Sequence, residues 1–318
     1  MREPHNADAI SDLVRRARTG ERLAISRIVT ELERAGADMP GLIAELTPHF
    51  GRALVVGFTG PPGAGKSTLV DAYVRMLTAE GKSVGIIAVD PSSPVSGGAI
   101  LGDRVRMGVS LSAPDVFMRS LASGGALGGL SPAAVRVIDA FDGVGKDVVI
   151  LETVGTGQNE IDIADVADVR VVLAAPGLGD GIQAMKSGLL EIADILVVNQ
   201  ADRPGAEETQ QQLLSALSLR TAARGDIPVL KTIATTSHGV EQLAAEIERH
   251  GRNSHSVPIA ERRRRRARLL IARAASTELN RALAVPTAER EQLADDVLSG
   301  RRPPLVAAID VLKQSAGQ

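Results

Sequence analysis

Apolar positions change their period once along the chain, and the change divides it. Between residues 8 and 47 they recur at steps of three and four, as in Leu13, Val14 and Ala17, then Leu23, Ile25, Ile28, Val29 and Leu32. That spacing draws one stripe along a helix, so this part predicts helices, two of them parted at Gly20 and the second ending near Gly36. From Ala53 onward the pattern turns to short β-branched runs at 54–58, 84–89, 148–151, 169–174, 195–198 and 229–233, each followed by turn or helix signals. Runs apolar on both faces suit strands of a parallel sheet covered by helices. Six of them predict an α/β fold with a mostly parallel central sheet. After a polar linker at 251–257, Leu269, Leu270, Ile271, Ala274, Leu279 and Leu283 return to helical spacing. The arginine run 262–266 heads that segment and reads as a solvated helix face. The expected organisation is an N-terminal helical extension at 1–50, an α/β domain at 51–250 and a C-terminal helical segment at 251–318.

Composition narrows the chemistry. The chain has 318 residues, 44% of them hydrophobic, with four phenylalanines, one tyrosine and no tryptophan, so its core must be aliphatic. Aromatic platforms for single-stranded nucleic acid are not available. The absence of cysteine excludes a disulfide scaffold, a zinc ribbon and a thiol nucleophile. A net charge of -2 supplies no global attraction to nucleic acid or membrane, and neither partner is expected. No apolar run approaches the roughly 20 residues that cross a bilayer, and the polar first ten residues lack the pattern of a secretory signal. The expectation is a cytoplasmic protein.

Candidate chemistry begins after the first strand. Gly60-Pro61-Pro62-Gly63-Ala64-Gly65-Lys66-Ser67-Thr68 matches G-x-x-x-x-G-K-[ST] in the strand, loop, helix order that the motif requires. Successive backbone N–H groups of such a loop converge on a polyphosphate, and glycines permit the close approach. Lys66 opens the helix whose positive end favours the anion, and places its ammonium against the β- and γ-phosphates. Ser67 offers a hydroxyl to magnesium, and Leu69, Val70, Tyr73 and Leu77 form the helix's buried face.

The base is read elsewhere. The run at 195–198 is followed by Asn199-Gln200-Ala201-Asp202, at the carboxyl end of a strand where open α/β sheets hold ligands. Guanine presents two adjacent donors, N1–H and the N2 amino group, and a carboxylate has two acceptors to meet them. Adenine has neither donor in those positions. The pattern N-x-x-D therefore points to GTP, with Gln200 in the place where guanine-binding proteins usually carry a lysine. Asn199 has two uses, supporting the loop or contacting the base.

Three acids lie where a metal would need them. Asp90 ends the second run, Asp103 follows it, and Glu152 ends the run at 148–151 before Thr153-Val154-Gly155. Magnesium takes a near-octahedral oxygen shell and keeps waters, so one or two carboxylates beside Ser67 suffice. A strand-end carboxylate can equally cap the next helix. Gly155 stands where a backbone amide could sense the γ-phosphate and convert its loss into a change of shape. The Gly/Ser-rich stretches 91–102 and 123–129 exceed a tight turn, and loops of that length are either functional or disordered.

Together these segments resemble the MeaB/ArgK family, P-loop GTPases of the G3E/SIMIBI class associated with methylmalonyl-CoA mutase. The resemblance is carried by G-P-P-G-A-G-K-S-T at 60–68, V-D-P-S-S-P at 89–94, G-G-A-I-L-G-D-R-V-R-M at 97–107 and E-T-V-G-T-G-Q-N-E at 152–160. It continues with P-G-L-G-D-G-I-Q-A-M-K-S-G at 176–188 and N-Q-A-D at 199–202. It implies a homodimeric GTPase that loads adenosylcobalamin onto the mutase, protects it and reactivates it. It assigns Asp90, Asp103 and Glu152 to magnesium or water positioning. It makes 180–186 a partner-touching switch, with Lys186 entering the nucleotide site on assembly. It places Ala234 and Thr235 beside the base, where Ile233-Ala234-Thr235 stands in place of the family's S-A-x.

Two other functions fit parts of the pattern. A P-loop kinase acting on a small molecule or a transport-related protein would use the same phosphate loop, but would not require a guanine-reading strand end or an E-T-x-G turn. A metal-delivery GTPase would need soft ligands, whereas His5, His49, His238, His250 and His255 are scattered and cysteine is absent.

Overall fold

The computed structural model describes residues 7–90, 113–122, 130–153, 159–178, 188–218, 227–255 and 257–316. The chain divides into two compact units, residues 1–262 and 263–318. In the first, a seven-stranded sheet has the order β3-β2-β4-β1-β5-β6-β7. The strands are β1 (Leu54–Thr59), β2 (Val84–Asp90), β3 (Val116–Ala122), β4 (Val148–Thr153), β5 (Val169–Ala174), β6 (Ile195–Val198) and β7 (Val229–Lys231), and every pairing is parallel. The P-loop NTPase fold and its helical extensions are as the sequence predicts.

Helices cover both faces because the strands are apolar on both. On one face Val56, Phe58, Ile86, Ile150, Val171 and Val197 pack with α4 (Lys66–Ala79) and α8 (Val240–His255). On the other lie α5 (Pro132–Gly143), α6 (Asn159–Val166) and α7 (Ala206–Ser218). There Gly85 leaves room for Phe141 and Gly57 for Ile163, since a Cβ at either position would come within 2.6 Å of that side chain. The N-terminal helices are α1 (Ala7–Arg18), α2 (Arg22–Arg34) and α3 (Met39–Leu46). Of these, α2 packs on α5 and is fastened by polar bonds. Arg136 donates to the carbonyls of Leu32 (2.6 Å) and Glu33 (2.9 Å), Arg119 of β3 pairs with Glu33, and Arg22 reaches the Val116 carbonyl at 2.9 Å.

Two buried carboxylates hold the start of β1. Asp142 of α5, 3% exposed, accepts the backbone N–H groups of Gly51 (2.6 Å), Arg52 (3.0 Å) and Ala53 (2.9 Å). Asp168 accepts the Val55 N–H at 3.0 Å, and Arg262 adds bonds to both Asp168 oxygens at 3.3 Å and to the Gly51 carbonyl at 3.1 Å.

The structure corrects three expectations. A seventh strand, β3, pairs with β2 at the sheet edge where no run was read. The linker expected at 251–257 is helical as far as His255, which ends α8. Nor is the arginine run wholly solvated: the Arg262 side chain is 11% exposed and Arg266 is buried.

The second unit contains most of α9 (Ile259–Leu283), then α10 (Ala288–Leu298) and α11 (Pro304–Ala316). Thr287 caps α10 by accepting the Arg290 N–H at 3.3 Å, and Arg302 pairs with Asp310 at 2.6 Å. Ala307 and Val311 are buried, while Ile271, Leu283, Leu298, Leu305 and Ile309 are exposed. No described helix is long and apolar enough to cross a membrane.

Two histidines give the fold a pH dependence. Burial, then Arg18 and Arg52, hold His49 below its ordinary value; burial, then Arg249, does the same for His250. Both rings are favoured neutral in the fold, whereas the unfolded chain takes up protons near pH 6.5. Their contribution is complete above that value and is lost as pH falls through the lower folded values. Denaturant midpoints are expected to drop between about pH 7 and about pH 5, and the slope to flatten in a His49→Gln/His250→Gln double variant. An equal slope in that variant would assign the dependence to other groups.

Candidate nucleotide site

β1 ends at Thr59, and the loop that follows cannot carry side chains at its tightest points. Gly60 has φ 142°, and a Cβ there would lie 2.4 Å from the Leu173 carbonyl oxygen. Gly65, at φ 81°, starts α4, and a Cβ there would lie 2.5 Å from Asn199 Nδ2. Ala64 is fully buried and anchors the loop, while Pro62 and Gly63 form its exposed crest. Leu69, Val70, Tyr73 and Leu77 are buried along α4, the face the sequence assigns to the core.

Lys66 is itself buried, and its Nζ donates to the carbonyls of Gly60 at 2.7 Å and Pro61 at 3.0 Å. The ammonium therefore lies inside the curve of the loop. Ser67 donates its hydroxyl to Glu152 Oε1 at 2.7 Å. The sheet register brings these groups together: Glu152 is the partner of Phe58 across β1 and β4, two residues before the loop begins. Beside them the buried Thr153 and Thr59 hydroxyls meet at 3.2 Å.

The segment after β6 reaches the same loop from the other side. Asn199, 1% exposed, donates to the carbonyls of Ala64 (2.9 Å) and Gly65 (3.3 Å), and accepts from the Thr232 hydroxyl at 3.0 Å. Of its two possible uses, loop support is the one the structure displays. Gln200 adopts a left-handed φ of 55° and donates to the Gly63 carbonyl at 2.9 Å. Sequence reasoning saw in Gln200 only a missing lysine and overlooked this bond. Its one signal was adjacency to Asn199.

A cleft of about 160 Å³ opens between these parts, lined by Gly65, Thr68, Asp202, Arg203, Ala234 and Thr235 among others. Asp202 is exposed, and its carboxylate makes no hydrogen bond or ion pair among the described residues. Arg203 was not anticipated as a lining residue. Asp90 closes β2, its backbone in register with Ala122, but its side chain lies outside the description. Asp103, Gly155 and Lys186 lie outside the described residues altogether.

Comparison with known proteins identifies a family for the chain. Residues 25–287 match the model of the family described as "Methylmalonyl Co-A mutase-associated GTPase MeaB". The "Putative GTPase PH0274" of Pyrococcus horikoshii is 41% identical over 314 residues, covering 97% of this chain and 99% of that protein. The mouse "Methylmalonic aciduria type A homolog, mitochondrial" is 37% identical over 195 residues, 59% of this chain and 46% of that one. The solved structure of a LAO/AO transport system kinase superposes with a TM-score of 0.72 at 27% identity, over 99% of both chains. The chain therefore belongs to the MeaB family and is a GTPase, an enzyme that hydrolyses GTP to GDP and phosphate.

Proposed function

We propose that this GTPase is a nucleotide-driven chaperone for an adenosylcobalamin-dependent acyl-CoA mutase, methylmalonyl-CoA mutase or a relative of it, and that it assists cofactor loading, protection and reactivation. The client is supported by the family description and by the name of the mouse relative. The observation that carries the switch is the Ser67–Glu152 pair at the point where β4 hands the chain to 154–158. In that reading Gly60 to Thr68 cradle the phosphates, and Lys66 exchanges its two loop carbonyls for β- and γ-phosphate oxygens.

Ser67 and Glu152 also suit magnesium. A hydroxyl beside a carboxylate, here 2.7 Å apart, is the hard oxygen donor set that this cation takes. The bound metal would neutralise charge on the β- and γ-phosphates. Asp90 and Asp103 would serve the remaining metal or water positions, Gly155 would sense the γ-phosphate, and Lys186 would add a cation on assembly. Asp202 reads guanine, with Ala234 and Thr235 offering backbone amides, while Asn199 acts through the loop it supports. The exposed apolar residues of α9 to α11 suit a homodimer. The expected location is the cytoplasm.

The test is GTP hydrolysis with and without the mutase. Free phosphate release is expected to rise about tenfold or more, a modest share of what an added cation supplies at the developing charge. An unchanged rate would overturn the client. Stable phosphate on an acceptor would instead favour the kinase reading, which the name of the structural relative suggests.

A further inference from the structure

The N-terminal helices hold a second concave site, apart from the nucleotide. A cleft of about 350 Å³ lies between α1 and the turn Thr47–His49 that follows α3. The buried Val14 floors it, and Ser11, Arg15, Arg18, Glu45 and His49 line it. The charges around it are not balanced. Arg18 Nη1 donates to His49 Nε2 at 3.1 Å, and Arg18 makes no ion pair with a carboxylate among the described residues. An imidazolium has no lone pair to accept that bond, so the ring there is neutral with its proton on Nδ1. Arg52 bears on the same ring and likewise makes no ion pair with a described carboxylate. Arg15 pairs with Asp12 through one of its nitrogens, while Arg16 is bonded to Glu21 and stands 3.5 Å from Asp12. Glu45 is the one carboxylate lining the cleft.

Arg18 spends its guanidinium on a neutral imidazole with no described carboxylate to meet it, an arrangement that has room for an anion. We propose that this cleft binds a phosphate-class dianion, held by the guanidinium groups of Arg15 and Arg18 and by the Ser11 hydroxyl. A single negative charge would be largely offset by Glu45; a doubly charged group with several acceptor oxygens outweighs it and suits the planar guanidinium fork. The bound dianion takes Arg18 from His49 and favours the imidazolium, so the ring becomes a further donor and binding is linked to its protonation. The site also has an address. From His49 the chain runs through Phe50 to Ala53 directly into β1, whose far end carries the phosphate loop.

The ligand's phosphate could be a free ion or part of a nucleotide-like molecule, and one experiment separates them. The full-length protein, saturated with GDP and magnesium, is followed by histidine NMR through pH titrations. Inorganic phosphate, diphosphate and adenosine 3′,5′-bisphosphate are added separately, with chloride at matched ionic strength as control. The His49 titration, assigned with His49→Gln, is expected to move up by about one unit, while the other histidines stay in place. Arg15→Gln keeps the Arg18–His49 bond and is expected to weaken binding about tenfold, one charge-assisted contact, with GTP hydrolysis unchanged. Arg18→Gln should abolish the response. A lower saturating concentration for diphosphate identifies a free ion; a lower one for the bisphosphate identifies a nucleotide-like ligand. No movement of His49 beyond the chloride control with any of the three, or the same movement in both arginine variants, overturns the site.

Discussion

Replacing Asp202 with asparagine is expected to turn this GTPase toward xanthosine triphosphate. Guanine offers the carboxylate two donors, N1–H and the N2 amino group; asparagine can accept only one and sets its own NH₂ against the other. Xanthine keeps N1–H and carries a carbonyl oxygen at C2, so asparagine matches it as aspartate matches guanine. Sites built on buried, directional hydrogen bonds discriminate by about 10⁴ in favourable cases, and a loss of that order in kcat/KM for GTP is expected, with a gain for the xanthine nucleotide. The variant should fold as the parent does, because Asp202 is exposed and gives up no bond among the described residues. Unaltered GTP selectivity would remove Asp202 from base recognition and move attention to Arg203 and the 233–235 backbone, which line the same cleft.

The largest effect on stability is expected at a residue far from any chemistry. Asp142→Ala removes the acceptor for three consecutive backbone N–H groups at the start of β1, in a site where Asp142 is only 3% exposed. Hydrogen bonds to a charged group contribute about 1.5–3 kcal/mol each, and buried donors left unpaired add a penalty of their own. Some of that loss is recovered by water, so a net cost of about 4 kcal/mol is expected from urea midpoints, with Asp142→Asn in between. A cost below about 1 kcal/mol would mean that other groups fix the approach to β1.

The parts legible in the sequence were those in which one physical demand dominates. Strands covered on both faces must be apolar throughout, so the runs of β1, β2, β4, β5, β6 and β7 stood out. β3 did not, because it lies at the edge and carries Arg119, which pairs with Glu33, and Ser120 among its residues. Gly251 misled for a different reason. It reads as a helix breaker, yet α8 keeps it because Leu54 occupies the space a side chain would need: a Cβ there would come within 2.8 Å of Leu54 Cδ1. The arginine run looked solvated because spacing does not record distant partners, and the carboxylate that claims Arg262 is Asp168, on another part of the chain.

The phosphate loop was readable because its motif is local. The contribution of Asn199 and Gln200 was not, since it consists of bonds to carbonyls more than a hundred residues upstream. Those bonds make the turn from Asn199 to Asp202 serve twice, because the segment that carries the candidate base-reading carboxylate also braces the loop at Ala64, Gly65 and Gly63.

Arg262 has a mechanical implication. It sits on α9 one turn from that helix's start, its guanidinium fixed to Gly51 and Asp168 under the first residues of the central strand. The strand's opposite tip carries the phosphate loop. A strand pinned at its foot by Asp142, Asp168 and Arg262 is held against sliding along its own axis, so the height at which the phosphate loop stands is set from below.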